Sequence, residues 1–341
     1  MINVFTPLTI KDLKLKNRIV MPPMCMYSSD DMGMATDFHV VHYATRAIGQ
    51  IGLIFVESTG IEPDGRITSN DLGIWEEDHV KGLRWITKQI HAHNAYAGIQ
   101  INHAGRKSKA ALVKKAPSAI AFGEYEEPKA LTVDEIKDII ESYKNAARRA
   151  NEANFDVLEI HAAHGYLIHE FISPLSNTRT DAYGGSMHNR SRFLQEVIDA
   201  VRSEWPQDKP ISLRISAEDY VKEGIHPQEW ADIIKTLPRG SIDIVHVSSG
   251  GLVPFKIDDY PGYQLSFAKK IKKETGLIVI AGGLIEDPIM ANGVLESNEA
   301  DLIYFGRLSL RDPYFPLRFA SRLRETIEWP EQYIRANKNM N

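Results

Sequence analysis

Eight short apolar runs, each followed by a stretch with helical signals, constrain this chain more than any other feature. Arg18–Met21, Gly52–Glu57, Ala97–Ile101, Asp156–Ile160, Pro210–Ile215, Ile242–Val247, Leu277–Ala281 and Asp301–Phe305 are four to six residues long and dominated by Ile, Val and Leu. Such runs are strands covered on both faces. Helices are predicted between them at His39–Ile48, about Asp78–His93, Pro227–Leu237, Tyr263–Thr275 and Asp287–Glu296, and from Gly184–Asn189 on to about Trp205. The best marked follows the third strand. Thr132 and Glu135 make a capping box there, and Ile136, Ile139, Ile140, Tyr143 and Ala147 repeat at helical spacing.

Alternation of this kind builds either a closed (β/α)8 barrel or an open doubly wound sheet. The open sheet normally brings a Gly-x-Gly-x-x-Gly turn after an early strand, and this chain contains none. A single α/β domain, a (β/α)8 TIM barrel over residues 1–341, is therefore predicted, with no built-in Rossmann site to retain a nicotinamide. Leu8–Leu15 alternates apolar and polar residues around Lys11-Asp12, so residues 1–17 read as a hairpin lid that plugs the bottom of the barrel. Asn102–Leu131, after the third strand, is too long for an ordinary connection, and a second excursion follows the fourth.

Composition excludes several roles. A net charge of −5 without a long basic tract leaves no track for nucleic acid. The start, Met1-Ile-Asn-Val-Phe, lacks the cationic and apolar regions of a signal peptide, and no apolar run approaches a membrane span. The single cysteine excludes an internal disulfide and a cysteine-held iron–sulfur cluster. A cytoplasmic protein without membrane or nucleic-acid partners is expected.

The densest chemistry lies at the exit of the fourth strand, in Glu159-Ile-His161-Ala-Ala-His164-Gly-Tyr166. Leu158 and Ile160 should face one side of that strand, Val157, Glu159 and His161 the other. Neutral imidazoles there can grip a developing oxyanion, and a tyrosine can deliver a proton. Gly165 lets the chain turn between them. Two other readings stay open: a metal pair, which lacks an obvious third ligand, and two structural histidines.

Other strands deliver more to the same end: Pro22-Pro-Met-Cys-Met-Tyr27, Glu57-Ser58, Gln100, His103-Ala-Gly-Arg-Lys107, and Ser212, Arg214 and Ser216 on one face. Ser248-Ser-Gly-Gly251, Ala281-Gly-Gly283 and Gly306-Arg307 close the last three strands. Glycine turns after the final strands expose N–H groups that can cradle a phosphate, with Arg307 beside them. Arg214 is placed to pair with Glu159 and, so held, also to face negative charge on a bound heterocycle. Cys25, between two methionines and without an adjacent histidine, reads as a packed thiol before a nucleophile.

These residues resemble a known family. Leu15-Lys-Asn-Arg-Ile-Val-Met, Pro23-Met-Cys-Met-Tyr, His103-Ala-Gly-Arg-Lys, Glu159-Ile-His-Ala-Ala-His-Gly-Tyr-Leu, Ser173-Pro-Leu-Ser-Asn, Arg179-Thr-Asp-x-Tyr-Gly-Gly and Gly306-Arg-x-x-Leu-Arg-Asp-Pro are similar to motifs of the Old Yellow Enzyme family. The resemblance runs from Phe5 to about Arg335 and is closest to the short bacterial NADPH dehydrogenase (ene reductase) branch with an active-site cysteine. It implies non-covalent FMN, reduced by NADPH, and a small activated alkene or nitro compound as substrate. Pro23, Met24, Cys25, Ser58, Gln100 and Arg214 would line the isoalloxazine. Ser249, Gly283, Gly306 and Arg307 would hold the rest of the cofactor. His161, His164 and Tyr27 would bind substrate, Tyr166 would donate the proton, and no metal is implied. It also implies a homodimer or a dimer-of-dimers tetramer, in which the tail 330–341 lies at the interface and Arg335 reaches a neighbour's substrate. Lys109, Lys114 and Lys115 depart from the family pattern, which bears on coenzyme preference.

Overall fold

A computed structural model describes residues 2–339; Met1, Met340 and Asn341, at the ends of the hairpin and tail segments, lie outside the described residues. The hairpin forms from β1 (Leu8–Ile10) and β2 (Leu13–Leu15), with Lys11 left-handed at the turn (φ 49°). Barrel strands then begin with β3 (Ile19–Met21), β4 (Leu53–Gly60) and β5 (Tyr96–Asn102). After a small parallel ladder in the first excursion, β6 (Lys115–Ala116) with β7 (Lys129–Ala130), come β8 (Val157–Ala162), β9 (Ile211–Ser216), β10 (Ile244–Ser248), β11 (Ile278–Ala281) and β12 (Leu302–Tyr304). The eight barrel strands pair in chain order, all parallel, and Ile303 of β12 closes against Ile19 of β3. This is a (β/α)8 TIM barrel.

Its outer ring contains α1 (Asp37–Ile48), α2 (Asp78–His91) and α3 (Val133–Glu152). It continues with α4 (Leu167–Ile172), α5 (Met187–Arg190), α6 (Arg192–Glu204), α7 (Pro227–Thr236), α8 (Leu265–Thr275) and α9 (Pro288–Glu296), and ends with α10 (Gly306–Arg311) and α11 (Phe315–Leu323). The capping box of α3 is closed in both directions: Glu135 N donates to Thr132 Oγ1 (3.2 Å) and Thr132 N to Glu135 Oε2 (2.9 Å). Its buried stripe of Ile136, Ile139, Tyr143, Ala146 and Ala147 meets α6, where Phe193 stands edge-on to Tyr143.

The predicted helix running to about Trp205 is α6, and the segment that leads into it holds a short helix of its own: Ser186 caps α5, and the chain restarts at Ser191. Arg190, donating from Nε to Ile172 O, ties that first turn to the end of α4.

Inward residues fall into layers. Val20, Leu53, Phe55, Val157, Ile244, Ile280 and Leu302 fill the amino-terminal half of the barrel together with Ile10, Leu13 and Leu15 of the hairpin. Burying a leucine there stabilises by roughly 2 kcal/mol. Leu158 and Ile160 point outward into the strand–helix shell. The apolar plug leaves polar groups only the carboxyl-terminal mouth. Among the described residues no helix is long and apolar enough to cross a membrane.

Candidate active site

Above the plug lies a buried polar layer centred on Glu159. Its carboxylate accepts from Gln100 Nε2 (2.8 Å), Ser212 Oγ (2.8 Å) and His246 Nδ1 (2.8 Å), so three other strands satisfy one acid. Burial alone would raise Glu159; His246, Arg214 and Ser212 outweigh it and hold the carboxyl below its usual range. Burial likewise lowers His246, which stays neutral and donates. The expected ion pair of Arg214 with Glu159 is not formed among the described residues. Arg214 instead donates to Pro23 O (3.3 Å), and its buried Nε has no hydrogen-bond partner. With Glu159 already satisfied, the guanidinium faces the mouth.

The mouth carries the imidazoles. Ala163 N donates to His161 Nδ1 (3.1 Å), which makes Nδ1 the acceptor and places the ring proton on Nε2. His164 Nε2 lies 2.7 Å from Ser248 Oγ. The His161 ring centroid is 5.1 Å from that of His164 and 4.9 Å from that of Tyr166. Burial first, then the positive charge of Arg214, keeps both histidines well below the usual imidazole range, so both are neutral donors. Burial first, then the neighbouring Cys25, Tyr27 and Asp71, pushes Tyr166 up, so it keeps its proton.

Two successive left-handed residues shape this turn, His164 (φ 56°) and Gly165 (φ 70°). A Cβ at Gly165 would sit against the carbonyl oxygen of Gly251, so only glycine fits. Below the turn, Gly165 N donates to His169 Nδ1 (3.1 Å), and His169 Nε2 lies 3.1 Å from Asp219 Oδ1. Nothing in the local sequence predicts that support, because Asp219 enters from the loop after β9.

On the opposite side, a bulge between Val56 and Ser58 shifts the register of β4 against β5 and brings Ser58 beside Gln100. Glu57 turns away to accept from Met26 N (2.7 Å), with His39 Nε2 at 3.3 Å. That contact fixes the exit of β3, on which Met24 and Cys25 are half-buried and Tyr27 is exposed. A cavity of about 210 Å³ opens beside Arg214, lined by Pro22, Met24, Gly283, Tyr304, Gly306 and Arg307. Gly283 (φ 92°) is glycine for conformational reasons, and a Cβ there would crowd Tyr263. Ser249 Oγ accepts from Tyr220 Oη (2.9 Å) and Gln264 Nε2 (2.8 Å), a fixed wall rather than a free hydroxyl. A slot with a buried guanidinium at one edge, its Nε unpaired among the described residues, and a glycine cradle with Arg307 at the other fits a flat, phosphorylated heterocycle.

Some candidates are not gathered here. Arg335 lies on the exposed tail and has no hydrogen bond or ion pair among the described residues. Lys109 lies over the Tyr125 ring (5.9 Å), and Lys114 pairs with Glu126 (2.8 Å). Two residues, by contrast, join the site more closely than their types foretold. Ser248 touches His164, and Lys107 lies over the Tyr166 ring. Among the described residues no group of three His, Cys, Asp or Glu side chains could hold a metal ion.

The model of the NADH:flavin oxidoreductase / NADH oxidase family matches residues 3–326. An NADPH dehydrogenase of Clostridium acetobutylicum is 52% identical over 98% of this chain and 99% of its own. Among solved structures, the Old Yellow Enzyme homologue from Zymomonas mobilis superposes with a TM-score of 0.83 at 29% identity, covering 97% of this chain and 96% of its own. A 2-naphthoyl-CoA reductase gives 0.89 at 26% identity over 94% of this chain, which spans only 52% of that longer protein. With 52% identity along its whole length and a flavin-family match from residue 3 onward, the chain is an FMN- and NADPH-dependent oxidoreductase of the NADH:flavin oxidoreductase / NADH oxidase family, in the bacterial NADPH dehydrogenase branch of the Old Yellow Enzymes.

Proposed function

We propose that this NADPH dehydrogenase is an ene reductase for activated alkenes: enones, enals, maleimides and nitroalkenes. The observation that carries the reading is the clustering of two neutral imidazoles with Tyr166, the His161 ring lying 5.1 Å from that of His164 and 4.9 Å from that of Tyr166. When bound, FMN supplies the chemistry of taking a hydride from NADPH and releasing it to an alkene carbon. Pro23, Met24, Cys25, Ser58, Gln100 and Arg214 would line its ring system. Gly283, Gly306 and Arg307 would hold the phosphate, and Ser249 would border the rest of the cofactor.

His161 and His164 would hold the carbonyl or nitro oxygen of the alkene, where negative charge grows as the β-carbon is reduced. Donors fixed before the reaction act on charge that is fully present only in the transition state, so each contributes about 3 kcal/mol. Neutral imidazoles suit this role, since they donate without holding an anion too tightly to release. Tyr27 would assist from the exit of β3, and Tyr166 would give its proton to the α-carbon. A homodimer, or a dimer-of-dimers tetramer, would bring Arg335 of one subunit to the substrate of the next.

The test uses purified holoprotein under nitrogen. NADPH should bleach the flavin and cyclohexenone restore it. Tyr166→Phe should leave bleaching unchanged and slow recolouring by about 100-fold, the share of a positioned general acid. Equal slowing of both half-reactions would remove Tyr166 from the proton step.

A further inference from the structure

Lys107 has an environment that the proposed chemistry leaves unexplained. It follows Arg106 in the short 3-10 turn after β5, and its side chain runs inward beneath the mouth. Nζ donates to His164 O (2.9 Å) and Gly251 O (3.0 Å), the two carbonyls that flank the left-handed turn. The remaining face of the ammonium lies over two rings, 4.3 Å from the Phe122 centroid and 5.3 Å from that of Tyr166. No carboxylate lies within ion-pair distance of Lys107 among the described residues. Glu170 of α4, the nearest acid by its influence, is tied to Arg106 N (3.0 Å). A cation held by two carbonyls and two ring faces, and neutralised by no acid, projects its charge onto Tyr166.

We propose that Lys107 is the positioning residue for proton delivery, its ammonium lowering the cost of leaving negative charge on the Tyr166 oxygen. The step is balanced within the site. The Tyr166 O–H bond breaks, its proton forms the new C–H bond at the α-carbon, and the electron pair stays on the phenolate oxygen. Lys107 remains protonated, and solvent re-protonates the phenolate. An ammonium this close favours the ionised form of a neighbouring acid. It therefore opposes the burial and the nearby Cys25, Tyr27, Asp71 and Tyr125 that otherwise hold Tyr166 up.

Other groups facing Lys107 set where it titrates. Burial lowers it to about 8, Glu170 partly restoring and Arg106 further lowering it. The amine is thus charged below that pH and neutral above it. Alkene-dependent reoxidation should therefore fall as pH rises through about 8, while bleaching by NADPH should not share that limb.

This inference rests on Tyr166 being the donor, so both residues are tested together. Holoenzyme, Lys107→Met, Lys107→Arg and Tyr166→Phe would be followed by stopped-flow reoxidation with cyclohexenone and with a quinone, whose oxygens take protons from water. Phenol titration would report on His161 and His164. Isotopic labelling at tyrosine Cζ would report the acidity of Tyr166, its signal assigned by its loss in Tyr166→Phe. Lys107→Met should make Tyr166 a weaker acid by about tenfold or more and slow cyclohexenone turnover about tenfold. It should leave quinone turnover and phenol affinity near the parent, and Lys107→Arg should recover most of the loss. An unmoved Tyr166 signal, or parallel loss of quinone turnover and phenol binding, overturns the proposal, the latter marking a purely structural clamp. Unchanged cyclohexenone turnover in Tyr166→Phe would instead overturn the donor assignment on which it rests.

Discussion

Cys25 stands among groups that mostly oppose its ionisation. Burial first, then Asp71 and Glu57, pushes the thiol up, and the hydrogen bond to Tyr27 and the charge of Arg214 offset only part of that. A thiol held in this way is neutral near physiological pH and a poor nucleophile. Cys25→Ala should accordingly shift the potential of the bound flavin, measured by dye equilibration, with turnover still measurable. Loss of all turnover with FMN still bound would restore the nucleophile reading. At this scale the sequence was legible wherever a residue's task is local. His161, His164 and Tyr166 are brought together by one turn whose glycine is visible in the chain. Glu159 was not legible in the same way. Its three partners arrive from β5, β9 and β10, and no spacing along the chain says that they, rather than Arg214, will meet it.

Elements were legible in proportion to their length. The strands and α3 announce themselves because apolar runs and a capping box are properties of contiguous residues. The six-residue helices α4 and α10 are too short to show a period, and the β4 bulge depends on how Glu57 finds His39 and Met26. The turn between β8 and α4 is the element on which the site depends most, and two glycines separate its causes. Gly165 and Gly185 both have positive φ (70° and 79°), but an added Cβ would meet Gly251 and Leu252 at the first and nothing within 4 Å at the second. Gly185→Ala should cost only the left-handed strain, about 1–2 kcal/mol. Gly165→Ala should add the cost of displacing packed backbone, roughly 1–3 kcal/mol more, and should abolish phenol binding. Denaturant unfolding of the two variants checks the difference. Equal losses would mean that the approach of Gly165 to Gly251 contributes nothing.

At the scale of the whole molecule, the barrel closes its own sheet and plugs its own floor, which leaves the tail as the part least explained by the monomer. Residues Glu331–Asn339 form an irregular 3-10 segment beyond Trp329-Pro330, where a regular helix cannot continue. The segment is nevertheless anchored. Tyr333 stands edge-on to Tyr314 with hydroxyls 3.3 Å apart, beside an apolar hollow of about 290 Å³ lined by Leu317, Trp329 and Ala336. Ile334 is 57% exposed, and Phe38 and Val41 of α1 are 50% and 62% exposed. Apolar side chains left in water on the tail and on α1 suit contact with a second copy. In that arrangement Arg335, without a hydrogen bond or ion pair among the described residues, would serve the neighbour's substrate. Deleting 333–341 should weaken the dimer or lower activity, whereas Arg335→Ala alone should lower activity with the dimer intact in sedimentation. Mixing gives the sharper result. Arg335→Ala and Tyr166→Phe subunits are each impaired alone. If every site uses its own Tyr166 and its neighbour's Arg335, a mixed dimer holds one site with both residues and one with neither. Activity should then rise on mixing as subunits exchange. Mixed dimers shown to form by mass spectrometry, yet no more active than either parent, would return Arg335 to the solvent.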